Sequence, residues 1–106
     1  MVAHLIGVTE RLLSAAGQGQ AERALANATL YLDAFGIVTV SWRWLEQARV
    51  AAQALTAGMV GERAFYRGKL AACRWYLRYE LPRAGLHLDR LEALEDTALQ
   101  LAEDEF

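Results

Sequence analysis

The 106-residue sequence is poor in the residues that staple, break or anchor chains: it has one cysteine and one proline. One thiol excludes an intramolecular disulfide framework and any multi-cysteine zinc or iron–sulfur site. It fits a reducing compartment, and a cytoplasmic location is the expectation. Eleven Lys and Arg against thirteen Asp and Glu leave a formal charge of −2. That is too little excess of either sign to point to nucleic acid. No apolar run reaches the roughly 18–20 residues that span a bilayer, because Arg or Glu interrupts every candidate. Met1 to Glu10 lacks the basic start and long apolar stretch of a secretory signal. Strand-like alternation is nearly missing too, the short Ile37–Val40 run sitting inside a longer helical pattern.

What is present is 55% hydrophobic residues, far too many for a disordered chain. The length supports one domain, burying roughly 60–68% of its unfolded surface. Helix formers dominate, and the spacing predicts an all-α fold: an antiparallel bundle of three to four helices around a long central one.

The first segment, about Val2 to Ala16, puts Val2, Leu5, Ile6, Leu12 and Leu13 near one face. The glycines at positions 17 and 19 then break it, so 17–20 reads as an internal linker. A second helix is predicted from about Ala21 to Ala57. Tyr31, Phe35, Val38, Trp42 and Leu45 make one apolar stripe on it. Ala34, Ile37, Trp44, Ala48, Ala51 and Leu55 make another beside it. A helix apolar over most of its circumference must be covered on several sides. Gly36 inside it marks a kink or the close approach of another helix. Gly58 and Gly61 suit a helix end and a restart. The third segment starts near Glu62 and carries Tyr66, Leu70, Cys73, Leu77, Leu81, Ala84, Leu88 and Leu91 at helical spacing. Pro82 predicts a kink or break near Glu80, or the start of a separate helix. From Glu92 the chain turns acidic, reading as a short helix and a frayed end.

No constellation here carries a reaction. Cys73 lies on the apolar stripe, where a free thiol acts as a small hydrophobe. On a continuous helix His87 would lie about 20 Å from it at 1.5 Å per residue, too far to activate it. His4 and His87 have no ligand partner at a metal-binding spacing, and Asp89 points away from His87. Gly17-Gln18-Gly19 lacks the strand, spacing and Lys-Ser/Thr ending of a phosphate loop. No catalytic, cofactor-binding or metal-binding residue is assigned.

Two features point instead to an interface. Arg67, Arg74 and Arg78 share a helix face, either as a solvated stripe or as a docking surface for an acidic partner or the chain's own acidic tail. Trp42, Trp44 and Tyr31 belong to an aromatic-rich set that suits a core, a pocket or a partner surface. Trp42 and Trp44 lie about 200° apart around a helix, at 100° per residue, and face different neighbours.

The run Tyr31-Leu32-Asp33-Ala34-Phe35-Gly36 is followed by Trp42, the Ala-rich Ala48–Leu55, Ala64-Phe65-Tyr66, Lys69-Leu70-Ala71, Leu81-Pro82 and the terminal Glu103-Asp104-Glu105-Phe106. This pattern resembles the extra C-terminal helical domain of the acyl-CoA dehydrogenases, in the branch related to methylmercaptopropionyl-CoA dehydrogenase. It covers about Ala21 to Phe106, with Val2–Ala16 matching more loosely. The resemblance implies a parent enzyme that oxidises an acyl-CoA thioester to its enoyl-CoA with FAD. It also implies that the flavin site, CoA groove and glutamate base lie upstream of this domain, so none of their residues carries over. The expected role is a non-catalytic accessory domain or fragment that packs against the catalytic body or against itself. A stand-alone helical interaction module is the alternative.

Overall fold

The computed structural model describes residues 1–58, 60–101 and 105. Among them the chain forms six α-helices and no strand: α1 (Val2–Gly17), α2 (Ala21–Leu25), α3 (Ala28–Thr56), α4 (Arg63–Tyr79), α5 (Leu81–Glu92) and α6 (Thr97–Gln100). A single 3-10 turn, Val60–Glu62, leads into α4. The all-α bundle built on one long helix is as the sequence predicts. Ile37–Val40 lies within α3.

The long α3 is the spine. α5 packs antiparallel on its N-terminal half, where Asp33 meets His87 at 2.7 Å. α4 packs antiparallel on its C-terminal half, where the Lys69 ammonium sits 5.8 Å from the Trp44 ring centre. Pro82 separates the two. α4 ends at Tyr79, and Pro82 falls in the first turn of α5, where a missing amide donor is tolerated. α1 lies across α5 and the N-terminal half of α3, and its Thr9 hydroxyl meets the Tyr31 hydroxyl at 2.8 Å.

The predicted second segment is two helices. Asn27 leaves the helical conformation, at φ −120° and ψ 37°, and its amide donates to the Glu95 carbonyl at 2.7 Å. A partner 68 residues away stabilises that break. The two apolar stripes of α3 also separate. Ala34, Ile37 and Ala51 are buried with Val38, whereas Phe35, Trp42 and Leu45 of the other stripe are exposed. On α1 the buried set is Leu5, Val8 and Ala15, while Val2, Ile6 and Leu13 face solvent. Gly36 has nothing within 4 Å of where a Cβ would stand, so none of the described helices approaches it closely. The short helix expected after Glu92 is α6, and residues 102–104 and 106 of the end expected to fray lie outside those described.

Two helix ends share one closing motif, and a third carries its left-handed residue. After α1 the Gln20 amide donates to the Ala15 carbonyl across Gly19, at φ +82°. Gly58, at φ +78°, follows α3. After α5 the Glu95 and Leu94 amides donate to the Arg90 and Leu91 carbonyls at 3.2 and 3.1 Å. The left-handed residue there is Leu94, at φ +53°. Glycine normally fills that position, since a Cβ costs about 1–2 kcal/mol there. Leu94 is held because its side chain is buried with Ala15 and Ala24 in a small second core.

The principal core joins Leu5 and Val8 of α1, Ala34, Ile37 and Val38 of α3, and Ala84, Leu88 and Leu91 of α5. Both cores lie on the α1/α5 side of the molecule. The chain extends 64 × 30 × 13 Å, with a radius of gyration of 19.2 Å. A compact chain of this length would have a radius of about 13 Å. The bundle is thus drawn out into a slab little more than one helix thick.

Candidate docking surface

Beyond Ser41, α3 is covered by α4 alone, and the two make a protruding hairpin arm. From Trp42 to Tyr79 the described buried residues are Ala51 and Cys73, both small. Apolar bulk lies on the outside instead: Trp42, Leu45, Val50, Phe65, Trp75 and Tyr79 are all exposed. Trp75 and Tyr79 stack with ring centres 5.4 Å apart. Contiguous exposed apolar surface of several hundred Å² marks an interaction site. Two helices cannot enclose a core between them; at least a third must close it.

An open groove of about 510 Å³ runs along one face of the arm. Val38, Trp42 and Leu45 of α3 form one side, Leu77 and Leu81 the other, and Met1 with Val2 closes the end. Ser41 is the polar side chain within it, and its hydroxyl donates to the Ile37 carbonyl at 2.8 Å. Trp42 and Leu45 continue into a second depression bordered by Arg49. On α4, Cys73 turns inward and Leu77 flanks it on the groove side. The helical repeat then sets Arg67, Arg74 and Arg78 on the next stripe of α4. All three are exposed, and among the described residues none has a carboxylate partner.

The six residues singled out from sequence therefore part company. Trp42 lies on the groove with 64% of its surface exposed. Arg67, Arg74 and Arg78 are exposed on α4 and are not among the residues that line it. Trp44 is half-buried on the other side of α3, beneath Lys69. Tyr31 is half-buried against α1, bonded to Thr9. Trp42 and Trp44 do face different neighbours, but only Trp42 belongs to the groove.

Two side-chain clusters escape sequence reasoning because their members lie far apart along the chain. His4 Nε2 stands 3.6 Å from Asp89 Oδ1 and 3.3 Å from Glu92 Oε2, pinning α1 to α5. These ligand atoms lie within 4.8 Å of one another, close enough to bridge a small divalent cation. Both carboxylates are mostly exposed, and an ion pair with a protonated His4 accounts for the same geometry. Asp33 gathers His87 and, at 3.5 Å, Arg83, whose guanidinium also holds Glu80 at 2.6 Å. The hydrogen bond and charge of Glu80 raise the Arg83 pKa further, so this is a fixed cation. Both clusters fasten helices together.

No described helix is long and apolar enough to cross a membrane. No solved structure matches the chain. In sequence, the chain is 34% identical over 77 residues to the broad-specificity linear acyl-CoA dehydrogenase FadE5 of Mycobacterium tuberculosis. That match covers 72% of this chain but 13% of the relative's length. The family described as acetyl-CoA dehydrogenase C-terminal like matches residues 1–102. With an all-helical fold and that span of agreement, the chain belongs to this family of acyl-CoA dehydrogenase C-terminal domains.

Proposed function

We propose that residues 1–106 are a single non-catalytic accessory domain of an FAD-dependent acyl-CoA dehydrogenase, with 17–20 linking α1 to α2. Its work is docking and assembly: it presents the α3/α4 arm to the catalytic body or to another protomer. The observation that carries this reading is the arm itself, a two-helix limb with apolar bulk outside and, among the described residues, only Ala51 and Cys73 buried. In such an enzyme the flavin, the CoA groove and the glutamate base would lie outside this chain. The chemistry of the main groove supports that placement. A flavin needs donors for its ring nitrogens and a cradle for its pyrophosphate, and the one polar side chain there, Ser41, is already bonded to Ile37. Cys73, a free buried thiol, accords with a cytoplasmic setting.

The test is reconstitution. A catalytic body of the relative, truncated to remove its own C-terminal domain, is mixed with the purified chain and resolved by size. Co-elution is expected, and replacing Trp42 with Glu should abolish it. The chain alone should be colourless at flavin wavelengths. A bound flavin, or failure of the two parts to associate, would overturn the reading. A free-standing helical adaptor is the second reading, and a stable complex with no dehydrogenase body would favour it.

A further inference from the structure

Three ligand atoms from two helices converge at the start of α1. His4 Nε2 stands 3.3 Å from Glu92 Oε2 and 3.6 Å from Asp89 Oδ1, and all three lie within 4.8 Å of one another. Among the described residues this is the one group of three such atoms. Asp89 and Glu92 share a face of α5 because they are three residues apart, and His4 reaches them from the first turn of α1. That turn lies close on α5, where Met1 Cε would stand 3.4 Å from a Cβ at Gly85.

A hydrogen bond serves this trio poorly. Nε2 carries at most one hydrogen, yet two carboxylates converge on it. Charge-assisted N–H···O bonds run at about 2.7–2.9 Å, and the 3.6 Å to Asp89 is too long for one. Elsewhere the molecule reaches such short lengths: His87 meets Asp33 at 2.7 Å, and Arg83 meets Glu80 at 2.6 Å. The spacing fits a shared cation instead. Zinc bonds of about 2.0–2.2 Å at tetrahedral angles set neighbouring ligand atoms about 3.3–3.6 Å apart. Those are the two distances that His4 makes. The donors narrow the choice of ion. Magnesium and calcium take oxygen ligands, whereas an imidazole beside carboxylates suits zinc. A doubly charged ion also cancels the two carboxylate charges that α5 brings together.

We propose that His4 Nε2, Asp89 Oδ1 and Glu92 Oε2 bind one zinc ion, with water completing the tetrahedron. The ion ties the first turn of α1 to the last turn of α5. Both carboxylates are mostly exposed, so the ion exchanges with solvent and the site is a reversible clasp. Met1 and Val2, which close the end of the apolar groove, lie beside the turn that it fixes. The site stands independently of the docking reading.

Calorimetric titration of the purified intact chain with zinc chloride, with thermal melts alongside, tests it. One zinc per chain is expected, with a melting temperature that rises with zinc concentration. His4→Ala and the Asp89→Asn, Glu92→Gln double variant should each weaken binding at least about tenfold. Cys73→Ala should bind as the intact chain does, and a large excess of magnesium should not displace the zinc. Circular dichroism on each variant checks that the helices persist. In the unmodified chain, zinc should shift the His4 ring resonances and leave those of His87 in place. Cobalt chloride should give the visible absorption of a tetrahedral centre. Absence of saturable uptake would overturn the proposal, as would binding that survives the loss of His4 or of both carboxylates. Zinc that shifts His87 and not His4, or that is lost with Cys73, would overturn it too.

Discussion

The imidazole Nε2 of His87 lies 2.7 Å from Asp33 Oδ2, bonding α5 to α3 beside the principal core. The His87 side chain is 14% exposed, and its Nδ1 is buried without a partner. A bare acceptor is cheaper to bury than an unpaired N–H, so the proton belongs on Nε2, donating to Asp33. Asp33→Ala would strand that donor and should destabilise the chain by roughly 1–2 kcal/mol in urea melts. Asp33→Asn keeps an acceptor and should cost less. Equal costs would show that the hydrogen bond contributes little.

Core substitutions should rank by burial. Leu88 is fully buried, and Leu88→Ala should cost roughly 2–5 kcal/mol. Phe35, for all its place on a regular apolar stripe, is 49% exposed. Phe35→Ala should cost well under Leu88→Ala, and Arg67→Ala less than about 1 kcal/mol. Denaturant melts check the order.

These two positions mark how far the sequence can be read. The stripe from Tyr66 to Leu91 was legible because its leucines, Cys73 and Ala84 recur at one helical spacing, and that stripe is the side that turns inward. α3 is apolar on two sides, and periodicity cannot say which of them another helix will cover. Burial went to Ala34, Ile37 and Ala51, leaving Phe35 and Trp42 outside. Asn27 looked like one more residue of a long helix, because the carbonyl that stabilises its break belongs to Glu95. Likewise nothing near His4 announces Asp89 and Glu92. Of the groove, Trp42 was visible beforehand. That Leu77 and Met1 would complete it depended on where α1 begins against α3.

Cys73 gives a probe of the arm. Burial raises its thiol pKa, so the reactive thiolate is scarce as well as shielded. Labelling with a disulfide reagent at neutral pH should run at least about tenfold slower in the native chain than in denaturant. Equal rates would mean that α3 and α4 separate freely.

Leu94 combines an unfavourable backbone with a favourable side chain. Leu94→Gly removes about 1 kcal/mol of left-handed strain but also a buried leucine worth roughly 2–5 kcal/mol. The net effect on thermal or urea stability should be a loss of about 1–4 kcal/mol. A stabilised variant would show that the small core with Ala15 and Ala24 contributes little.

Acid should loosen the α5–α6 turn. Glu95 accepts hydrogen bonds from the Thr97 hydroxyl and from backbone amides, which lower its carboxyl pKa below the ordinary value. A group depressed on folding stabilises the native state above its unfolded pKa, and that contribution is lost as pH falls through the folded one. Protection of the Thr97 amide, its exchange rate relative to the intrinsic one, should therefore fall as pH drops through the lowered Glu95 pKa, and Glu95→Gln should remove that response.

The slab has a stiff root and a compliant limb. Both cores sit where α1 crosses α5, while among the described residues of the limb only an alanine and a thiol are fully buried. Thermal opening should start at the far turn and travel inward, at a fraction of the free energy needed to melt the root. Anything that clasps the limb then stiffens it selectively, so the order of this one hairpin reports whether the surrounding assembly is in place.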